Sequence, residues 1–190
     1  LELAVKTRTP EECREAAAAL SDAGLPILLG HNRVQEARAT VEAIREVPGA
    51  RIHLIGPLQS NKITPALASK IDARATGTLP VFVEVNVSGE ATKHGCAPSD
   101  VTALIDAVEA SVHLQLAGFM TVGLNSPVEA DVRAAYAQLR GIRDEAASRL
   151  GIDESDLALS MGMSRDLEWA IAEGATIVRL GTAVFGARRA

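Results

Sequence analysis

The chain has 190 residues, enough for one sizeable core and too few for two comfortable domains. Its Ala-rich, aromatic-poor composition, with 23% charged residues, is that of a globular protein rather than a disordered one. A formal net charge of −5 gives no reason to expect nucleic acid as a partner, two cysteines make neither a disulfide framework nor a metal cluster, and no apolar stretch is long enough to span a membrane.

With no signal peptide to read, the expectation is a cytoplasmic protein of a single domain over residues 1–190, monomeric. Leu1 to Lys6 reads as a first strand. Thr9-Pro10-Glu11-Glu12 then opens a helix, with Thr as the cap, Pro at the first helical position and Glu three residues after the cap; Gly24 ends it. Pro26 to Leu29 is a second strand, and Val34, Ala37, Val41 and Ile44 mark the apolar face of the next helix. Arg51 to Ile55 is a third strand. Pro65 to Ala75 has room for a helix, but nothing between Lys62 and Leu79 makes a convincing strand. Val81 to Val87 is a β-branched strand, followed by a helix that turns Val101, Leu104, Ile105 and Val108 inward. Leu114 to Val122 is another strand, and Ser126-Pro127-Val128-Glu129 reads as a second capping box opening a long helix to about Leu150. The last two strands fall around Leu157–Met161 and Ile177–Leu180.

Strands alternating with amphipathic helices are the mark of a parallel α/β fold, and a closed barrel of this kind has eight strands in about 250 residues. Only seven are legible, and the shortfall is confined to residues 62–79. Either one strand–helix unit is truly absent there or residues are omitted from that interval; omission is the expectation, because a barrel without an internal stave would leave two open edges and an unfilled core.

Chemistry gathers at the strand ends. Ser164 stands where a helix should begin, and Gly181-Thr182 follow an apolar run; two successive loops of this kind late in a barrel build a phosphate site from small residues, free N–H groups and a hydroxyl. Lys6 ends the first strand. It either snorkels to water or serves as a Schiff-base amine, and a lysine paired with a phosphate cradle is what pyridoxal 5'-phosphate requires. Arg179 lies inside an apolar strand and needs a partner: a carboxylate such as Glu84, or the pyridine nitrogen of that cofactor, where a permanent cation would weaken the ring as an electron sink. Asn32, in Gly30-His31-Asn32-Arg33, either caps the next helix or touches the ligand. His53 and Asn86 read as hydrogen-bonded structural residues, and the four histidines lack metal-ligand spacing.

Five blocks in order resemble the YggS/PROSC family of pyridoxal phosphate homeostasis proteins: Leu3-Ala4-Val5-Lys6-Thr7, Gly30 through Glu36, His53 through Lys62, Val85 through Glu90 with Lys93-His94-Gly95, and Leu159 through Gly186. The resemblance implies a single (β/α)8 TIM-type barrel of the alanine racemase N-terminal type. It implies pyridoxal 5'-phosphate held on Lys6, with Ser164, Gly181 and Thr182 at the phosphate, Arg179 at the pyridine nitrogen, and cofactor-dependent apo-enzymes as recipients. Three positions depart from the family's habit: His31 where Glu is usual, Pro57 where His is usual, and Val5 where Ser precedes the lysine.

Three functions compete on these residues. A carrier that holds the cofactor without efficient turnover needs only one lysine and the phosphate seat. A racemase of low activity needs a second acid–base group on the opposite face of the ring, and the lone tyrosine, Tyr136, falls in mid-helix where packing is its ordinary role. A phosphosugar enzyme would use the phosphate seat but leave Lys6 unexplained. The carrier is the expectation.

Overall fold

A computed structural model of the chain describes residues 1–56, 65–90 and 92–186. Along it run β1 (Glu2–Ala4), α1 (Pro10–Asp22), β2 (Leu28–His31), α2 (Val34–Arg45), β3 (Arg51–Leu54), α3 (Pro65–Asp72) and β4 (Leu79–Glu84). They are followed by α4 (Val101–Glu109), β5 (Leu114–Met120), α5 (Glu129–Leu150), β6 (Ala158–Ser160), α6 (Leu167–Ala172), β7 (Arg179–Leu180) and α7 (Thr182–Phe185). Every strand pairing is parallel. Between β3 and β4 the described residues hold α3 and no strand. Residues 57–64, with Pro57 and the Gln59-Ser60-Asn61-Lys62 motif, lie outside the described residues.

The described residues gather into two compact units. The first takes the chain from Leu1 through β3, Met163–Arg165, and the segment from Val178 onward. Its sheet has the order β3-β2-β1-β7. Leu29 aligns with Leu3 and Ile52, and Leu3 with Leu180, so one face of the sheet carries a row of apolar side chains. These pack with Cys13, Ala17 and Leu20 of α1 and Ile44 of α2 into one cluster. Burying Leu3 and Leu29 contributes roughly 1.5–3 kcal/mol each against leaving them exposed. By alternation, Glu2, Ala4, Gly30, His53 and Arg179 stand on the opposite face.

Helix α1 starts as its sequence directs. Thr9 Oγ1 accepts from the Glu12 N–H at 3.2 Å, and the Glu12 carboxylate accepts from the Thr9 N–H at 2.9 Å. Past its end, Gly24 takes φ 65°, and Leu25 N–H returns to Leu20 O at 3.0 Å.

The second unit carries the sheet β4-β5-β6. Val81 pairs with Leu116 and Phe82 with Gly118, so Ala117 is an extra residue, a bulge. Gly118 tolerates it because it lacks Cβ: one built there would stand 2.0 Å from Ala158 O. Helix α5 begins differently from the capping box expected at Ser126. Its cap is Val128, with no side-chain cap bond, while Ser126 Oγ accepts from the Val128 N–H at 3.1 Å. The serine closes a local turn two residues on, which competes with reaching the third helical N–H. Farther along, Arg133 and Arg140 both donate to the buried Glu173 carboxylate, at 2.8 and 2.7 Å, tying α5 to the end of α6. Cys13 and Cys96 are buried and free, and desolvation pushes both thiols up to about 11.

His31, at the end of β2, is fully buried. Its Nε2 lies 3.1 Å from Thr40 Oγ1, a hydroxyl that is also 3.1 Å from Glu36 O, so ring and hydroxyl share a hydrogen bond inside the protein. Burial pushes its pKa below the ordinary 6.5. A histidine with a lowered folded pKa contributes stability that is full above the unfolded value and is lost as pH falls through it, because only the unfolded chain then takes up the proton. Urea unfolding followed from pH 7.5 down to 5 should therefore show a declining midpoint, and His31→Gln should flatten that decline.

Candidate functional site

The C-terminal end of β1 turns sharply. Val5, fully buried, donates its N–H to Gly30 O at 3.0 Å, which anchors the strand end to β2. Arg8 N–H then returns to Val5 O at 3.2 Å, so Val5 to Arg8 form a tight turn with Lys6 half-buried at its second position. Thr7, the third position, has φ 62°, the only positive φ of a non-glycine among the described residues. A β-branched residue held there costs of order 1–3 kcal/mol, and strain of that kind persists only where surrounding structure enforces it. Here the enforcement is the anchored Val5 on one side and the capped start of α1 on the other.

β7 lies beside β1: Glu2 pairs with Arg179 and Leu3 with Leu180 in register, and Glu2 N–H donates to Val178 O at 2.9 Å. β1 and β7 therefore end at the same edge, with Gly181 packed 3.6 Å from the Ala4 Cβ by the position its own Cβ would take. Thr182 begins α7, and Phe185 and Val184 N–H groups close onto Gly181 O at 2.9 and 3.0 Å. Ser164, in the turn before α6, accepts from Ala183 N–H through Oγ at 3.4 Å. Arg179 is 7% exposed on β7.

All six expected site residues, Lys6, Asn32, Ser164, Arg179, Gly181 and Thr182, thus fall in the first unit. Asn32 does not cap α2; the cap position is Arg33. Its backbone is instead pressed against Gly56, where a Cβ would stand 1.9 Å from Asn32 O. That contact fixes the loop after β2 against the loop after β3 and leaves the Asn32 side chain out of the cap.

Glu2 is a site-facing residue that the strand pattern did not single out. It is 1% exposed on the same sheet face as Arg179, and its Oε1 lies 3.2 Å from Nδ1 of His53 on β3. The carboxylate reaches across β2 to do so, and it passes over Gly30, where a Cβ would sit 2.8 Å from Oε1. The signal was present as a charge inside the apolar run Leu1-Glu2-Leu3-Ala4-Val5, the same signal that marked Arg179. His53 lies beside the Glu2 carboxylate, with its side chain 28% exposed rather than in the core.

Chemically the group is a half-buried primary amine, two hydroxyls, a glycine at the start of a short helix and a buried guanidinium. Amine, hydroxyls and backbone donors suit a ligand carrying both an aldehyde and a phosphate. Among the described residues no cluster of His, Cys, Asp or Glu could hold a metal, and no helix is long and apolar enough to cross a membrane.

The family model described as alanine racemase, N-terminal domain, matches residues 9–189. A pyridoxal phosphate homeostasis protein of Pseudomonas aeruginosa is 41% identical, over 96% of this chain and 82% of its own. That alignment runs over 201 positions, more than the 190 residues here can fill, so the relative carries residues without a counterpart in this chain. PipY of Synechococcus elongatus, solved with PLP bound, superposes with a TM-score of 0.78 at 28% identity, over 98% of this chain and 92% of that one. An alanine racemase of Clostridium difficile shares the fold, with a TM-score of 0.72 at 17% identity over all of this chain and 52% of its own.

Two substitutions test the geometry. Gly56→Ala meets backbone and Gly30→Ala meets only side-chain ends, so in urea unfolding the first should cost more, about 3 kcal/mol against about 1 kcal/mol for the second. Thr7→Gly removes the left-handed penalty and should raise stability by about 1 kcal/mol in the same assay.

Proposed function

The chain belongs to the alanine racemase N-terminal domain family and, within it, to the pyridoxal phosphate homeostasis proteins, and from that premise we propose that it binds pyridoxal 5'-phosphate through Lys6 and holds it without efficient turnover. One observation carries the reading: β1 and β7 are hydrogen-bonded neighbours, so the lysine after one and the Gly181-Thr182 segment after the other share an edge. An aldehyde and a phosphate on one small molecule need those two groups close together.

When bound, the cofactor would supply an electron-poor ring joined to the protein through its aldehyde carbon. Lys6 would provide the amine, held half-buried by the Val5–Arg8 turn. Gly181, Thr182 and Ser164 would receive the phosphate with N–H and hydroxyl donors. Arg179 would stand at the ring nitrogen. A permanent cation there disfavours protonation of that nitrogen and so favours holding over carbanion chemistry. Asn32, free of capping duty, would border the ligand.

The racemase alternative asks for a second acid–base group. Tyr136 is fully buried and its hydroxyl donates to Asp166 Oδ2 at 2.7 Å, a structural bond on α5 that supports the packing reading. The chain spans about half the length of the alanine racemase it superposes on, and cofactor-dependent apo-enzymes remain the class of recipient that this reading implies.

Borohydride reduction of the protein incubated with pyridoxal 5'-phosphate, followed by peptide mass analysis, should place the adduct on Lys6 and leave Lys6→Ala unlabelled. Labelling of both proteins to the same extent would overturn the assignment. Incubation with L-alanine should yield no more D-alanine than free cofactor does; a clear excess that depends on Lys6 would favour the racemase.

A further inference from the structure

The turn that holds Lys6 does more than present an amine. Its last residue, Arg8, folds back so that its guanidinium lies over the Phe185 ring, 4.8 Å from the centroid. The side chain is 14% exposed, and Nη1 lies 3.4 Å from Glu12 Oε1. Glu12 is itself held by the Thr9 cap, so the guanidinium is fixed from the α1 side. Phe185 ends α7, and its ring packs against the apolar cluster beneath β1 and α1. One cation therefore joins the turn carrying the amine to the segment that starts at Gly181.

We propose that Arg8 and Phe185 form a clasp that positions the Gly181–Phe185 segment against the Lys6 turn, and that they are thereby positioning residues for the phosphate of the ligand. The inference rests on the cofactor reading above. Helix α7 has only four residues, too few to be stable alone, and the bonds inside it run from Val184, Phe185 and Gly186 N–H to Gly181 and Thr182 carbonyls. Its placement must come from outside. The ring under Arg8, the packing of that ring on the apolar cluster and the Ala183 N–H on Ser164 Oγ supply it. The strained Thr7 immediately precedes Arg8 in the turn that the Arg8 N–H closes on Val5 O.

The clasp acts on the phosphate end of the ligand and not on the amine. Pyridoxal, which has the aldehyde and lacks the phosphate, separates the two. Dissociation constants for pyridoxal 5'-phosphate and for pyridoxal would be measured on the wild type, Arg8→Met, Arg8→Lys and Phe185→Leu, with urea midpoints recorded to confirm folding. The expected result is that Arg8→Met and Phe185→Leu weaken pyridoxal 5'-phosphate about fivefold and leave pyridoxal unchanged, while Arg8→Lys recovers most of the loss. In the ligand-free protein, amide exchange at Phe185 and Gly186 should quicken in the first two variants.

Equal weakening of both ligands, or no weakening of either, would overturn the clasp. A wild type that binds pyridoxal as tightly as its phosphate would instead overturn the phosphate seat, and with it the reading on which the clasp rests.

Discussion

The parallel pairing of β1 with β7 is the contact on which the first unit depends. It joins the beginning of the described chain to its end through two register pairs, with a backbone bond from Glu2 to Val178 beside them. β7 has only two residues, so little sheet energy comes from it. Its worth is positional. Closing so long a loop costs only slowly more entropy than closing a short one, and the closure places Leu180 in the row with Leu3, Leu29 and Ile52. That row seats the sheet on α1 and α2. The opposite face is then free to hold the polar side chains, and the two strand ends arrive at the same edge.

Much of this was legible from the residues. The strands and helices that show plain periodicity or a cap lie where the pattern puts them: the Thr9 box, the glycine after α1, the apolar stripe of α4. The six site candidates read from the sequence all lie in the first unit. What it hid has physical reasons. The Ser126 box failed because serine can satisfy a nearer N–H, and the sequence does not say which wins. Asn32 looked as good a cap as a ligand contact until Gly56 was seen packed against its backbone. Glu2 stands out as a charge inside an apolar run, but its partner does not, because its reach to His53 depends on the missing side chain of Gly30, a residue on another strand. Thr7 carries its strain in φ, which no spacing reveals. The Arg8–Phe185 contact joins positions far apart in the chain, and only the β1–β7 pairing makes them neighbours.

The residues around the first turn are held unequally. Lys6 stands on a turn strained at Thr7, and Gly181 precedes a helix of four residues. Such parts can be shifted by a modest force, which is what the proposed holding and release of a ligand asks of them. Tyr136, by contrast, is fully buried and tied to Asp166.

The buried thiols bear on this too. Desolvation holds Cys13, on the buried face of α1, and Cys96, bridged to Val85 past the end of β4, almost wholly as neutral thiols at physiological pH. A sulfur nucleophile would compete for a free aldehyde, and a sulfenic acid would form where peroxide reached a thiolate. With both sulfurs withdrawn, an aldehyde meeting this chain would find amines rather than thiolates, and oxidants that arrest thiol enzymes should pass this protein by.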